Sequence, residues 1–330
     1  MQKCKFFKLL AIIPAIAVSG AATAGAQEAV RIGTSSVGSV FYTIAIGAAE
    51  VIQKHGGLNA TAEPVGGSSA NMRGLAAKNI EFALGNSFAA FTAYSGTHNF
   101  KKPIELRLVV QGQPSFRWML LRKGAGIEKA EDLSGRTIVA KRRALPEIEL
   151  VMKAYEKVLG LKNVKVVETT NSPQAYNASR AGSVDAALMP FSRNAAAVAK
   201  PMTDGVLDFL YLPKATRDAM LKHLPPMMWA ATFEKGTYKE QTNDVHLIGL
   251  NTYFLTSSEV KEETVYKVAR AIFENTKEFA TYHRAAAQWT MKRSLENVAL
   301  PFHPGAIRYF KEKGAWTDAL EAKQKELLKR

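Results

Sequence analysis

Cysteine is almost missing from this 330-residue chain: its one copy, Cys4, stands among the first few positions. Residues 1–26 read as a secretory leader. Lys3, Lys5 and Lys8 precede ten apolar residues, Leu9 to Val18, and Ala24-Gly25-Ala26 supplies a small-x-small cleavage site. Cleavage near Ala26 is expected to leave no thiol, which excludes disulfides, cysteine nucleophiles and thiolate metal sites together. Long apolar runs are missing too. Ten residues fall short of the roughly 20 that span a bilayer, so the segment is expected to be removed rather than kept as an anchor. Cys4 lies ahead of it, poorly placed for a lipid anchor. The expected destination is the periplasm.

Acidic residues are few relative to basic ones, 29 against 44, for a net charge of +15. Taking 26 residues from 330 leaves 304, enough for two lobes with separate cores. The leader carries three lysines and no acid, so +15 becomes +12. That excess attracts anions, but it is spread along the chain, and nucleic acid is excluded as a partner outside the cytoplasm.

Signatures of catalysis are also lacking. The loop Gly33 to Gly38 is followed by no Gly-Lys-Ser/Thr, and Ser35 breaks the dinucleotide-binding GxGxxG pattern. No GxSxG occurs. Ser258-Glu259-Val260-Lys261 fits the SxxK spacing of acyl-transfer enzymes but has no SDN or KTG companion, and Ser258 reads as a helix cap. The six histidines never pair at i, i+4, so no helical zinc site is indicated. His303 reads as a packed loop residue. Neither an enzyme, a cofactor nor a metal is expected.

What the chain does have is one local design used three times. Val30–Ile32 leads into Gly33–Ser39 and a helical pattern from Phe41. Ala60–Val65 leads into Gly66–Asn71 and a helical run through Met72, Leu75 and Ala76. Glu81–Gly85 leads into Asn86-Ser87 and a run through Phe88, Phe91 and Tyr94. Each places Gly, Ser, Thr or Asn where a helix starts at the carboxyl end of a strand. Such a start offers unpaired N–H groups, a positive dipole end and hydroxyl donors. In an open α/β sheet that edge binds ligands. Three converging donor clusters suit a small anion, although each loop alone reads more readily as an ordinary cap or turn. Lys141–Glu147 repeats the design with cations, and arginine can grip a carboxylate through two parallel hydrogen bonds. A solvated surface cluster is the competing reading of that segment.

Further along, Glu105–Gly112 and Phe116–Lys123 read as two strands separated at Pro114. Ile127–Ala140 reads as a turn of helix and a strand, and Pro146–Gly160 as an amphipathic helix. Val164–Thr170, Val184–Pro190, Val206–Leu212 and Asp244–Ser257 read as strands, Pro173–Ala181 as a helix, and about Glu259 to Tyr282 as one long helix. Alternating strands and helices make this an α/β protein.

Several segments, in order, resemble the TAXI family of solute receptors that serve TRAP (tripartite ATP-independent periplasmic) transporters. They include Ile32–Tyr42, Gly66–Leu84, Phe91–Phe100, Ala130–Ala140, Gly182–Leu188, Glu234–Tyr238, Val265–Asn275 and Pro301–Gly314. The resemblance implies a type II periplasmic-binding-protein fold, two α/β lobes joined by crossing hinge strands and closing on a ligand in the cleft. It also implies delivery to an ion-coupled permease without ATP and without chemistry on the ligand. Three departures fall where ligand contacts are expected: Asn86 stands where the family usually has Gln, a basic segment replaces its second-lobe glycine-rich loop around Lys141 to Leu145, and Pro190–Arg193 replaces a Gly before a Pro.

The expected layout is lobe one from residues 27–113 plus 231–330 and lobe two from 114–230. Ser36, Ser39, Tyr42, Ser68, Ser69, Asn71, Asn86 and Ser87 are expected to line the ligand from lobe one, with Arg142 and Arg143 opposite. Two facing cations suggest a second acidic group on the ligand, or a single sulfonate or phosphonate. The expected partners are a small organic anion, carboxylate or dicarboxylate, and a TRAP-type permease, with the receptor a monomer. A sensor subunit signalling to a membrane kinase would use the same lobes.

Overall fold

A computed structural model describes residues 27–329; the expected leader and its cleavage site lie outside the described residues. The first third holds β1 (Ala29–Gly33), α1 (Val40–Gly56), β2 (Asn59–Glu63), α2 (Ser68–Ala76), β3 (Phe82–Asn86), α3 (Ser87–Ser95) and the long β4 (Leu106–Arg122). Next come β5 (Thr137–Lys141), α4 (Glu147–Leu159), β6 (Lys165–Glu168), α5 (Ser172–Arg180), β7 (Ala186–Phe191), α6 (Ala196–Thr203), β8 (Leu207–Phe209) and α7 (Lys214–Leu221). The chain finishes with β9 (Trp229–Phe233), β10 (Val245–Ser257), α8 (Glu262–Glu274), α9 (Thr276–Tyr282), α10 (Met291–Ser294), α11 (Pro304–Glu312) and α12 (Asp318–Leu328).

The strands form one sheet in the order β2-β1-β3-β10-β4-β7-β5-β6, with β8 on β4 and β9 on β10. β1 runs parallel to β2 and β3, and β5 runs parallel to β6 and β7. Two parallel trios are thus joined through β4 and β10, which pair with each other antiparallel and each reach into both halves. Within a trio all strands point the same way, so their carboxyl ends and the helix starts that follow share one edge.

Each half has its own apolar core. The first gathers Ile32, Ile44, Phe82, Val110, Phe254, Ile272 and Phe310. The second half packs on both sheet faces, one around Leu133, Ile148 and Leu188 and the other around Trp118, Ala187 and Phe209. Ala231, Phe233, Tyr238, Val245 and Leu247 join the Trp118 side, so residues 231–247 share a core with the second half rather than the first.

Three local expectations differ from the structure. Pro114 does not divide two strands: β4 runs through it, opposite Asn251, beside a register shift. A proline donates nothing to the ladder, and an irregularity is where a strand tolerates one. The long helix is broken at Asn275 into α8 and α9. Ser258 caps neither; its N–H donates to the Glu105 carbonyl in a turn before α8, whose cap position is Lys261. Among the described residues no helix is long and apolar enough to cross a membrane.

Candidate functional site

The first trio's helix starts form a knitted edge. The Thr34 carbonyl accepts from both Gly66 and Gly67 N–H at 3.2 Å. Gly66 and Gly67 have φ of 121° and 101°, which L side chains rarely adopt, so this turn requires glycine. Ser39 caps α1, accepting from Tyr42 N–H at 3.1 Å, and Asn86 caps α3, accepting from Ala89 N–H at 2.8 Å. α2 begins at Gly67 with no side-chain cap.

The candidate residues separate by what they touch. The buried Ser68 hydroxyl accepts from Asn86 N–H at 3.1 Å, and that of Ser87 from Asn251 N–H at 3.2 Å. Asn71 is wholly buried and donates to the Gly33 and Leu84 carbonyls, tying β1 to β3. These three hold the edge together. Ser36 is exposed, and Tyr42 is half-buried on α1. Ser69 and Thr34 are buried, and neither hydroxyl has a hydrogen-bond partner. Thr34 was not singled out from the sequence.

Across the seam lies the carboxyl edge of the second trio, with Arg142 and Arg143 after β5. Arg143 is exposed, and Arg142 is half-buried. The Arg142 Nε is buried without a partner, and the side chain forms no ion pair among the described residues. Burial lowers its pKa and the Arg117 charge lowers it further, against the opposing pull of Glu147. A small hollow beside it is lined by Lys141, Thr169, Asn171, Ser172 and Pro190.

The two edges meet. The Asn86 side-chain amide donates to Glu147 Oε1 at 3.0 Å, linking the cap of α3 to the start of α4. A methyl group on Gly67 would lie 3.8 Å from the Ala144 Cβ. Elsewhere along the seam the Arg284 guanidinium donates to the Asn194 carbonyl. Glu147 also pairs with Arg117 from β4, and both side chains are essentially sealed from solvent, at 0% and 1% exposure. Glu147 Oε2 and Arg117 Nε have no partner. Sequence reasoning missed this pair. Arg117 did carry a signal, as a charge inside an otherwise apolar strand, which must find a partner when buried. Glu147 carried none, since an acid in the first turn of a helix is ordinary.

Among the described residues no cluster of three or more His, Cys, Asp or Glu is placed to hold a metal ion. In comparisons with known proteins, the model of the NMT1-like family matches residues 32–314. MatC from Rhodopseudomonas palustris, solved with bound malate, superposes with a TM-score of 0.55 at 12% identity over 87% of this chain and 96% of that one. The putative sulfonate-binding protein SsuA from Methylobacillus flagellatus KT aligns with a TM-score of 0.49 at 16% identity, over 92% and 95% of the two chains. Two parallel trios joined by crossing antiparallel strands, and the likeness to MatC, make this the type II periplasmic-binding-protein fold.

Proposed function

This chain belongs to the NMT1-like family, and from that premise we propose that it is a periplasmic solute receptor. It captures a small organic anion, a carboxylate or dicarboxylate, between two lobes and hands it to an ion-coupled TRAP-type permease without altering it. Lobe one comprises residues 27–113 and the chain beyond β10, with β4 and β10 as the hinge. Residues 114–230 form lobe two, together with the 231–247 segment that shares its core.

One observation carries the reading. Where the two carboxyl edges meet, the Ser69 and Thr34 hydroxyls and the Arg142 Nε are buried without acceptors. Buried donors left unpaired cost about 1–3 kcal/mol each, more when charged, so a site built of them stabilises an arriving anion. A charge-assisted hydrogen bond contributes roughly 1.5–3 kcal/mol. Two or three of them suffice for micromolar affinity, about −8 kcal/mol, after ordering costs. Ser36, Ser39, Tyr42 and Arg143 stand at the rim in this reading. Ser68, Asn71, Asn86 and Ser87 shape the wall.

Native mass spectrometry of gently purified protein tests it. The expected result is a bound small acid that is lost on denaturation. A neutral sugar, a peptide or an organic cation in its place would overturn the reading.

A further inference from the structure

The centre between the two edges contains three charged groups, Arg117 and Glu147 buried and Arg142 half-buried. Arg117 projects from the hinge strand β4, Arg142 follows β5, and Glu147 opens α4. Glu147 pairs with Arg117 and accepts from Asn86, while Arg142 feels both neighbouring charges but pairs with neither. Two guanidiniums and one carboxylate leave a single positive charge in excess. The unpartnered atoms have a matching composition. Arg142 Nε and Arg117 Nε both lack acceptors, whereas Glu147 Oε2, on a side chain of 0% exposure, lacks a donor.

We propose that Glu147 sets the charge of the ligand: the site takes a monoanion that also carries a hydrogen-bond donor, and Glu147 disfavours a second acidic group. This rests on the anion-binding reading above and narrows it. One carboxylate on the ligand answers the excess charge at Arg142. A second would have to lie near Glu147 Oε2, where like charges repel at low dielectric and neither can be satisfied. An O–H or N–H in that position completes the Oε2 acceptor instead. The second anionic end that Arg142 and Arg143 suggested is therefore already supplied from within the chain, by Glu147, and Arg143 points to solvent-accessible surface.

The test uses matched probes of equal size: straight-chain dicarboxylates of four to six carbons and their monoamides, titrated by calorimetry against the native protein and Glu147→Gln. On the native protein a monoamide is expected to bind at least about tenfold more tightly than its diacid, a difference of about 1.4 kcal/mol. In Glu147→Gln the preference should reverse, because removing the carboxylate leaves two uncompensated guanidiniums. Diacids favoured by the native protein would overturn the role of Glu147 while leaving an anion receptor in place. An identical ratio in the two proteins would do the same. If no acid or monoamide binds either protein, both this inference and the anion reading fall. Should Glu147→Gln fail to fold, the native ratio still decides the matter, since it needs no variant.

Discussion

Asn86 touches both sides of the seam, and its replacement separates two roles that one side chain combines. Its Oδ1 accepts from Ala89 N–H at 2.8 Å, and its Nδ2 donates to Glu147 Oε1 at 3.0 Å. Losing an N-cap costs about 0.5–2 kcal/mol, and losing a hydrogen bond to a charged group about 1.5–3 kcal/mol. At 4% exposure, water cannot readily substitute for either contact. Asn86→Ala is therefore expected to lower the unfolding free energy by roughly 2–5 kcal/mol. Asn86→Asp keeps an acceptor at the cap, where a negative charge suits the helix dipole. It also sets a second carboxylate against Glu147 where a donor stood. That variant should retain α3 yet hold the lobes apart without ligand. Denaturant unfolding would report the first effect, and the radius of gyration from small-angle scattering the second. If Asn86→Asp scatters and unfolds like the native protein, the contact does not couple the two edges and the reasoning fails. A loss below about 0.5 kcal/mol in Asn86→Ala would refute the cap as well.

Two further outcomes follow from single buried groups. Asn71→Ala leaves the Gly33 and Leu84 carbonyls without their donor, at about 1–3 kcal/mol each; thermal melts should show a large loss of stability. His303 accepts from Gly305 N–H through Nδ1 and donates through Nε2 to the Val260 carbonyl, so the fold holds its ring neutral. Burial is the main cause of its pKa falling from 6.5 to about 4. The unfolded chain then takes up a proton first, so stability present above the unfolded value of 6.5 is lost as pH falls toward 4. The loss is on the order of 3 kcal/mol. Unfolding at pH 7 and pH 4.5 measures it, and the slope should flatten in His303→Gln if this residue is the source.

Much of the site's framework was legible because it rests on short-range effects. The strand, small-residue turn and helix start at Gly33–Ser39, Gly66–Asn71 and Asn86-Ser87 follow from local propensity and capping, and the caps at Ser39 and Asn86 are made as those residue types favour. The alternation of elements likewise declared an α/β protein. Boundaries were less legible where neighbours decided them. Pro114 breaks a lone strand on propensity, yet pairing with β10 on one side and β7 on the other carries β4 through it.

The amino-acid sequence alone determined that donors gather at the carboxyl ends of strands and that a basic segment faces a second edge, because both depend on residues a few positions apart. Only the tertiary structure decided which of those donors are left unpaired. The Ser68 and Ser87 hydroxyls and the Asn71 Nδ2 find partners in distant chain, whereas the Ser69 hydroxyl, Arg142 Nε and the Asn71 Oδ1 acceptor are buried without them. It also brought Arg117 to Glu147 across 30 positions and Asn86 to Glu147 across 61. No periodicity encodes such a meeting. Electrostatic partnership depends on distance and burial in space, and those are fixed only when the sheet order and the crossing of β4 and β10 bring the two edges together.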